Sequence, residues 1–194
     1  MKNIIFDYIQ KEMDALGSLD YSMIDKIYAS IMNAYRTGGR IYLIGNGGSA
    51  ANAAHWVNDI KKNTSNINNG FDVTSLSDNV SLLTAFANDV AYADVFLEQL
   101  KGSLRKKDVL IALSVSGSSS NIVRAMQYAR EIEAKTISIV ADYNGILEAY
   151  SDVVLKIYTK SYGIAEDIQQ SINHILVQKI KEEFNTNLGE ELIG

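Results

Sequence analysis

Apolar residues recur along this chain in two alternating rhythms. Over residues 3–36 they fall at helical spacing, Ile4, Ile5, Tyr8 and Ile9 forming one stripe and Met23, Ile24, Ile27, Tyr28, Ile31 and Tyr35 a second. Gly17-Ser18-Leu19-Asp20 separates two helices and offers Asp20 as an N-cap, and Thr37-Gly38-Gly39 ends the second helix. Ile41-Tyr42-Leu43-Ile44 and Val109-Leu110-Ile111-Ala112-Leu113 then read as buried parallel strands, because both of their faces are apolar. Between these strands the pattern predicts a helix over 50–61, a polar loop over 63–70, a strand over 71–76, and helical segments 79–86 and 92–100 around Ala87-Asn88-Asp89. Beyond them it predicts a helix over 119–133, a strand over 136–140, a short helix over 146–150, a strand over 153–157, a long amphipathic helix over 165–184 and a frayed tail over 189–194. This alternation specifies an α/β fold, a three-layer αβα sandwich around a parallel sheet, with one domain spanning 1–194.

Two small-residue turns stand where such a sheet binds ligands, beyond the carboxyl ends of its strands. They are Gly45-Asn46-Gly47-Gly48-Ser49 and Ser114-Val115-Ser116-Gly117-Ser118-Ser119-Ser120, each between a buried strand and an amphipathic helix. Glycines let the backbone approach a ligand, the helix N-terminus presents free N–H groups, and serine hydroxyls add donors without bulk. Phosphate is the ligand that suits them. The first turn lacks the G-x-G-x-x-G spacing of dinucleotide sites, and no Walker lysine follows it.

Composition narrows the picture. A net charge of −5 disfavours a nucleic-acid surface, and Lys61-Lys62 and Arg105-Lys106-Lys107 read as solvated turns. With no cysteine, a disulfide framework, a thiolate metal site and a cysteine nucleophile are all excluded, which fits a reducing cytoplasm. The first ten residues carry Asp7 and no long apolar core, unlike a signal peptide, and no run approaches about 18 apolar residues, so a soluble chain with no membrane partner is expected.

Both histidines of the chain have carboxylates at helical spacing. His55 and Asp59 are four apart on the helix after the first turn, and Glu166 and His174 are eight apart on the last helix, with Gln170 between them. Four side chains of this kind can converge on one ion; imidazole with carboxylate suits zinc first, then iron, manganese or nickel. Without a metal they can still move protons.

Gly45 to Ser49, the Ser114 turn and the order of elements resemble the sugar isomerase (SIS) domain family and, within it, the phosphoheptose isomerases. Those enzymes interconvert sedoheptulose 7-phosphate and D-glycero-D-manno-heptose 7-phosphate. The similarity covers nearly the whole chain and is most distinctive in GNGGSAANAAHWVNDIKK, SLSDNVSLLTAFANDVAYADVFLEQL, LSVSGSSSNIV and IAEDIQQSINHIL. It implies a flavodoxin-like sheet and a cytoplasmic homotetramer, with helices of residues 1–37 in the bundle and the last helix of one subunit completing the site of another. It implies a phosphorylated sugar held by Ser49, Ser114, Ser116 and Ser119 with the turn amides, Gly47 included, and sugar hydroxyls contacted by Asn46 and Asp89. It also implies a metal, zinc first, on His55, Asp59, Glu166 and His174, with Asp59, His174 and Glu166 as catalytic groups of a metal-assisted enediol proton transfer that serves bacterial surface heptose, lipopolysaccharide or capsule. Three positions depart from the common pattern: Asp59 stands where many members have glutamate, Glu166 where many have glutamine, and Val115 where many have threonine. The alternative is a non-catalytic sugar-phosphate-binding SIS module that regulates or binds protein; retention of both histidines with carboxylate partners favours the enzyme.

Overall fold

The computed structural model describes residues 1–65 and 70–191, with side chains described up to residue 184. Two helices lead in, α1 (Lys2–Gly17) and α2 (Tyr21–Thr37). The break between them falls where the sequence predicts, and Asp20 caps α2 by accepting the Ser22 N–H at 2.9 Å. Hydrogen bonding from the Ser22 side chain holds the Asp20 carboxyl below its ordinary pKa. Gly38, at φ 64°, closes α2 with the left-handed cap that glycine adopts without strain.

The chain continues through β1 (Ile41–Gly45), α3 (Gly47–Asn63), β2 (Val73–Ser75), α4 (Val80–Phe86), α5 (Val95–Leu100), β3 (Val109–Ser114), α6 (Ser120–Glu131), β4 (Lys135–Ala141), β5 (Val153–Ile157) and α7 (Tyr162–Glu191). A 3-10 turn, Ile146–Tyr150, stands where a short helix is predicted. The five strands form one parallel sheet in the order β2-β1-β3-β4-β5, with Ile41 beside Val109 and Ile111 beside Ile137. Strand side chains alternate between two cores. Leu43, Ile111 and Ile139 pack with Ile27, Ile31, Trp56 and Ile172 on one face; Ile44, Leu110 and Val140 pack with Phe96, Leu100, Ile122 and Met126 on the other. Burial on both faces explains why these strands read as unbroken apolar runs, and the three-layer arrangement is as predicted.

Several boundaries differ from the predicted ones. α3 begins at Gly47 and α7 at Tyr162, both earlier than predicted; in α3 the small residues Gly47-Gly48-Ser49 fill the first turn and carry no apolar stripe. β2 is only three residues long, shortened because it pairs with β1 alone. The predicted loop over 63–70 lies partly outside the described residues, as does part of the predicted tail; its residues 189–191 continue α7.

The expected break at Ala87-Asn88-Asp89 is instead a change of pitch. α4 passes into a π turn, Ala87–Ala91, then a 3-10 turn, Tyr92–Asp94, and then α5. Switching hydrogen-bond register keeps the backbone paired while re-aiming the side chains. The resulting helical course, Val80–Leu100, has a mean hydropathy of 1.3 and the length to cross a membrane, although no uninterrupted apolar run does. Asp89 and Asp94 break such a run, whereas an average over the course absorbs them. Its C-terminal half is tied into the fold: Val95, Phe96 and Leu100 are buried, and Arg124 of α6 donates at 2.7 Å to both oxygens of Asp94.

Candidate active site

The first turn depends on Gly45. A Cβ there would lie 2.6 Å from the Ser49 carbonyl oxygen, so only glycine lets β1 run straight into α3. Asn46 is the N-cap of α3, yet its side chain bonds none of the helix amides. Its amide is exchanged with that of buried Asn121 in α6: each Nδ2 donates to the other's Oδ1 at 2.9 Å, and the Tyr92 hydroxyl adds a bond to Asn46 Oδ1 at 3.0 Å. The second turn is braced from within. Ser114 Oγ accepts the Gly117 N–H at 3.2 Å and Ser116 Oγ accepts the Ser118 N–H at 3.3 Å, while Ser119 caps α6 by position without a side-chain bond.

A cleft opens between the two turns, lined by Asn46, Ser49, Ser114, Ser116 and Ser119 and, from α7, by Tyr162 and Glu166. Five of the seven sequence-predicted substrate residues thus meet. Gly47, at φ 55°, shapes the turn without lining the cleft, and Ser49 is buried with its hydroxyl donated to Gln169 Oε1 at 3.1 Å. Asp89 is not brought in. It is exposed on the π turn and accepts from Asn88 at 2.8 Å, because the change of pitch aims Tyr92 rather than Asp89 at the first turn. A larger cleft at the opposite edge of the sheet holds Arg40, Arg105 and Lys107, but Asp72 and Asp108 line it too and offset these cations.

α3 and α7 lie side by side and run the same way, stitched by a ladder of polar contacts. Asn52 donates to the Glu166 carbonyl at 2.8 Å and to Gln169 Oε1 at 3.2 Å, the Trp56 indole to the Gln169 carbonyl at 3.2 Å, and Asn173 Nδ2 to Asp59 Oδ2 at 2.7 Å. Lower on this seam, His55 Nε2 lies 3.2 Å and His174 Nε2 3.5 Å from Asp59 Oδ2. The ligand-capable atoms of His55, Asp59 and His174 all fall within 4.8 Å of one another. The two imidazoles are about half exposed, at 49% and 59%, whereas the carboxylate is 15% exposed. His174 belongs to the same chain as the Asp59 it meets.

Glu166 does not join this cluster within the chain. It shares a face of α7 with His174 but stands about 12 Å away along the axis, because eight residues at 1.5 Å each separate them. Its carboxyl lies over Gly48, where any Cβ would collide with it, and it faces the serine cleft. Burial first, and then the charge of Asp167, push its pKa up. Asp167 in turn accepts the Tyr8 hydroxyl at 2.5 Å, which ties α1 to the start of α7 and raises the phenol to about 12, chiefly through that bond. Since the folded chain favours the protonated Glu166, ionisation works against folding: stability declines as pH rises above the ordinary carboxylate value of 4.5. Glu166→Gln is expected to remove this decline, melting with the wild type in acid and above it at neutral pH. Superimposable melting profiles across pH would contradict the assignment.

Sequence reading missed Asn121, Asn173, Gln169 and Gly145, the last packed so close under the second turn that a Cβ would lie 2.5 Å from the Ser116 and Gly117 carbonyl oxygens. A partial signal existed for two of them: Gln169 and Asn173 interrupt the apolar stripe of α7 at Ile168 and Ile172, and both are fully buried.

A flavodoxin-like sheet with two serine-bearing turns facing one cleft at its carboxyl edge defines the class to which comparison with known proteins can be made. The chain belongs to the SIS domain family, whose model matches residues 6–141. Its relatives are narrower in kind. A phosphoheptose isomerase of Helicobacter pylori is 31% identical over 188 residues, covering 93% of this chain and 98% of the relative. A probable phosphoheptose isomerase of Thermoplasma volcanium is 30% identical over 174 residues, covering 90% and 89%. The structure of a phosphoheptose isomerase from Neisseria gonorrhoeae matches with a TM-score of 0.84 at 24% identity, covering 93% of this chain and 96% of that one. The family resemblance drawn from the two turns is borne out.

Proposed function

We propose that this chain is an aldose–ketose isomerase of a phosphorylated heptose, interconverting sedoheptulose 7-phosphate and D-glycero-D-manno-heptose 7-phosphate through an enediol. The observation that carries the reading is the gathering of His55, Asp59 and His174 on the same two helices whose first turns border the serine cleft. The names of the relatives supply the substrate.

The phosphate sits against Ser114, Ser116, Ser119 and the uncapped amides of α3 and α6, which fixes one end of the open sugar. An extended chain then reaches along the α3–α7 seam toward the histidines. Asp59 removes the proton from the carbon beside the carbonyl. Its Oδ2 faces both imidazoles, which leaves Oδ1, hydrogen-bonded by Asn58 at 3.1 Å, to take that proton. Asp59 then returns that proton to the neighbouring carbon while a hydroxyl proton passes between the two sugar oxygens beside His174, and Glu166, whose pKa burial raises, contacts the sugar within the cleft. Two imidazole nitrogens and a carboxylate oxygen at this spacing fit a divalent ion, zinc first among them. When bound at His55, Asp59 and His174, such an ion supplies Lewis-acid stabilisation of the enediolate charge.

Assembly belongs to the same reading. α1 exposes Ile4, Ile5, Phe6, Ile9 and Met13, an apolar face that a homotetramer built on residues 1–37 would bury. We place the activity in the cytoplasm, in keeping with a cysteine-free chain, and in the supply of surface heptose. The test is to incubate the zinc-loaded protein with sedoheptulose 7-phosphate and follow aldose formation beside His174→Ala. Turnover by the wild type, reduced at least about 10²-fold in the variant, is expected. Stabilisation by the sugar phosphate with no turnover would overturn the enzyme in favour of a binding module.

A further inference from the structure

Asn173 is fully buried one residue before His174, among Ile168, Ile172 and Leu176 on α7. A side chain chosen for packing alone would be apolar there. Its Nδ2 instead donates at 2.7 Å to Asp59 Oδ2, the oxygen that both imidazoles face. Its own Oδ1 is buried with no partner among the described residues. Turning the amide over would set that oxygen against the carboxylate, so Asp59 dictates the orientation and leaves the acceptor stranded. An orphaned acceptor in a packed interior is a standing cost to the fold, and it calls for a reason.

We propose that Asn173 is a positioning residue, which holds the Asp59 carboxylate across the α3–α7 seam at the distance the two imidazoles require. This rests on the cluster being the reactive and metal-holding site of the proposed isomerase. Asp59 and His55 belong to α3 and His174 to α7, so the spacing of the three donors depends on how the two helices are joined at this level. The Asn173 bond is the shorter of the two contacts α7 makes with Asp59, 2.7 Å against 3.5 Å for His174, and because residues 173 and 174 are consecutive, the helix that anchors the carboxylate also delivers the second imidazole. Asp59 is short, with its carboxylate close to the α3 backbone, so a donor reaching from α7 sets its rotation directly. Partners of this kind typically change metal affinity or activity by 10–100-fold.

The experiment compares wild type with Asn173→Leu, which keeps the heavy-atom count and branching and removes both the donor and the stranded acceptor. Three quantities are read: the thermal midpoint, the affinity for zinc alone by competition with a chromophoric chelator, and kcat and KM for sedoheptulose 7-phosphate. The variant is expected to melt at or above the wild type, to bind zinc about 10–100-fold more weakly, and to lose kcat by a similar factor with KM little changed. A residue that only packs gives the reverse, a lower midpoint with unchanged zinc affinity and kcat, and that result would overturn the proposal. A wild type that binds no zinc overturns it as well. If wild type binds zinc and Asn173→Leu weakens that binding, but neither turns over the heptose, the positioning role stands and the isomerase reading falls. Should Asn173→Leu not fold, Asn173→Ser decides by the same readouts, since its hydroxyl is too short to reach Asp59.

Discussion

Asp59→Asn is expected to lower kcat by about 10²–10⁴-fold while leaving KM within a few-fold of wild type. The substitution keeps size and shape, and an amide oxygen can still accept from Asn173, so α3 and α7 stay joined. What disappears is the negative charge between two imidazoles and the capacity to take a proton. The phosphate contacts lie at the other end of the seam and are untouched, which is why the loss falls on kcat. Initial rates on sedoheptulose 7-phosphate measure it. A variant within about tenfold of wild-type kcat would remove Asp59 from the chemistry and leave the cluster without a base.

Gly145→Ala is expected to do the opposite, raising KM with a smaller effect on kcat. An added Cβ would lie 2.5 Å from the Ser116 and Gly117 carbonyl oxygens and from the Gly117 carbonyl carbon. These are backbone atoms, so no flexible side chain can yield, and the Leu147 N–H already fixes the Gly117 carbonyl at 3.0 Å. The Ser114–Ser119 turn must therefore move as a unit and carry its hydroxyls out of register with the cleft. Losing one hydrogen bond to a charged phosphate costs about 1.5–3 kcal/mol, or roughly 10–100-fold in affinity. Overpacking adds about 1–3 kcal/mol of lost stability. Substrate titration by calorimetry and urea unfolding read the two quantities separately; unchanged affinity would show that the turn is not the phosphate cradle. The pair of variants also divides binding from chemistry, one shifting KM and the other kcat.

The fold was legible because its signals are local. Strands buried on both faces read as unbroken apolar runs, and small-residue turns mark their carboxyl ends. The serines of the cleft were legible for the same reason, since each belongs to a turn recognisable in a few consecutive residues. Glu166 shows where periodicity stops: spacing by eights places it and His174 on one face, but only the tertiary partner reveals that one stands over Gly48 and the other beside Asp59. Asn121 and Asn173 lie further from sequence reasoning, because the groups they hold are 75 and 114 residues away. Gly145 acts through a backbone approach that no single turn displays. The π turn was hidden too, since a change of helical register leaves little trace in a pattern of apolar residues.

The reciprocal bonds between Asn46 and Asn121 have a consequence for how a ligand arrives. Each amide spends one donor and one acceptor on the other, so the first turn and the start of α6 are tied together by the protein's own side chains. Little ordering entropy remains to be lost on capture, and a host so preorganised converts more of its contact energy into affinity. Either asparagine replaced by alanine would let the loops drift independently, and the loss would appear as faster release rather than slower arrival.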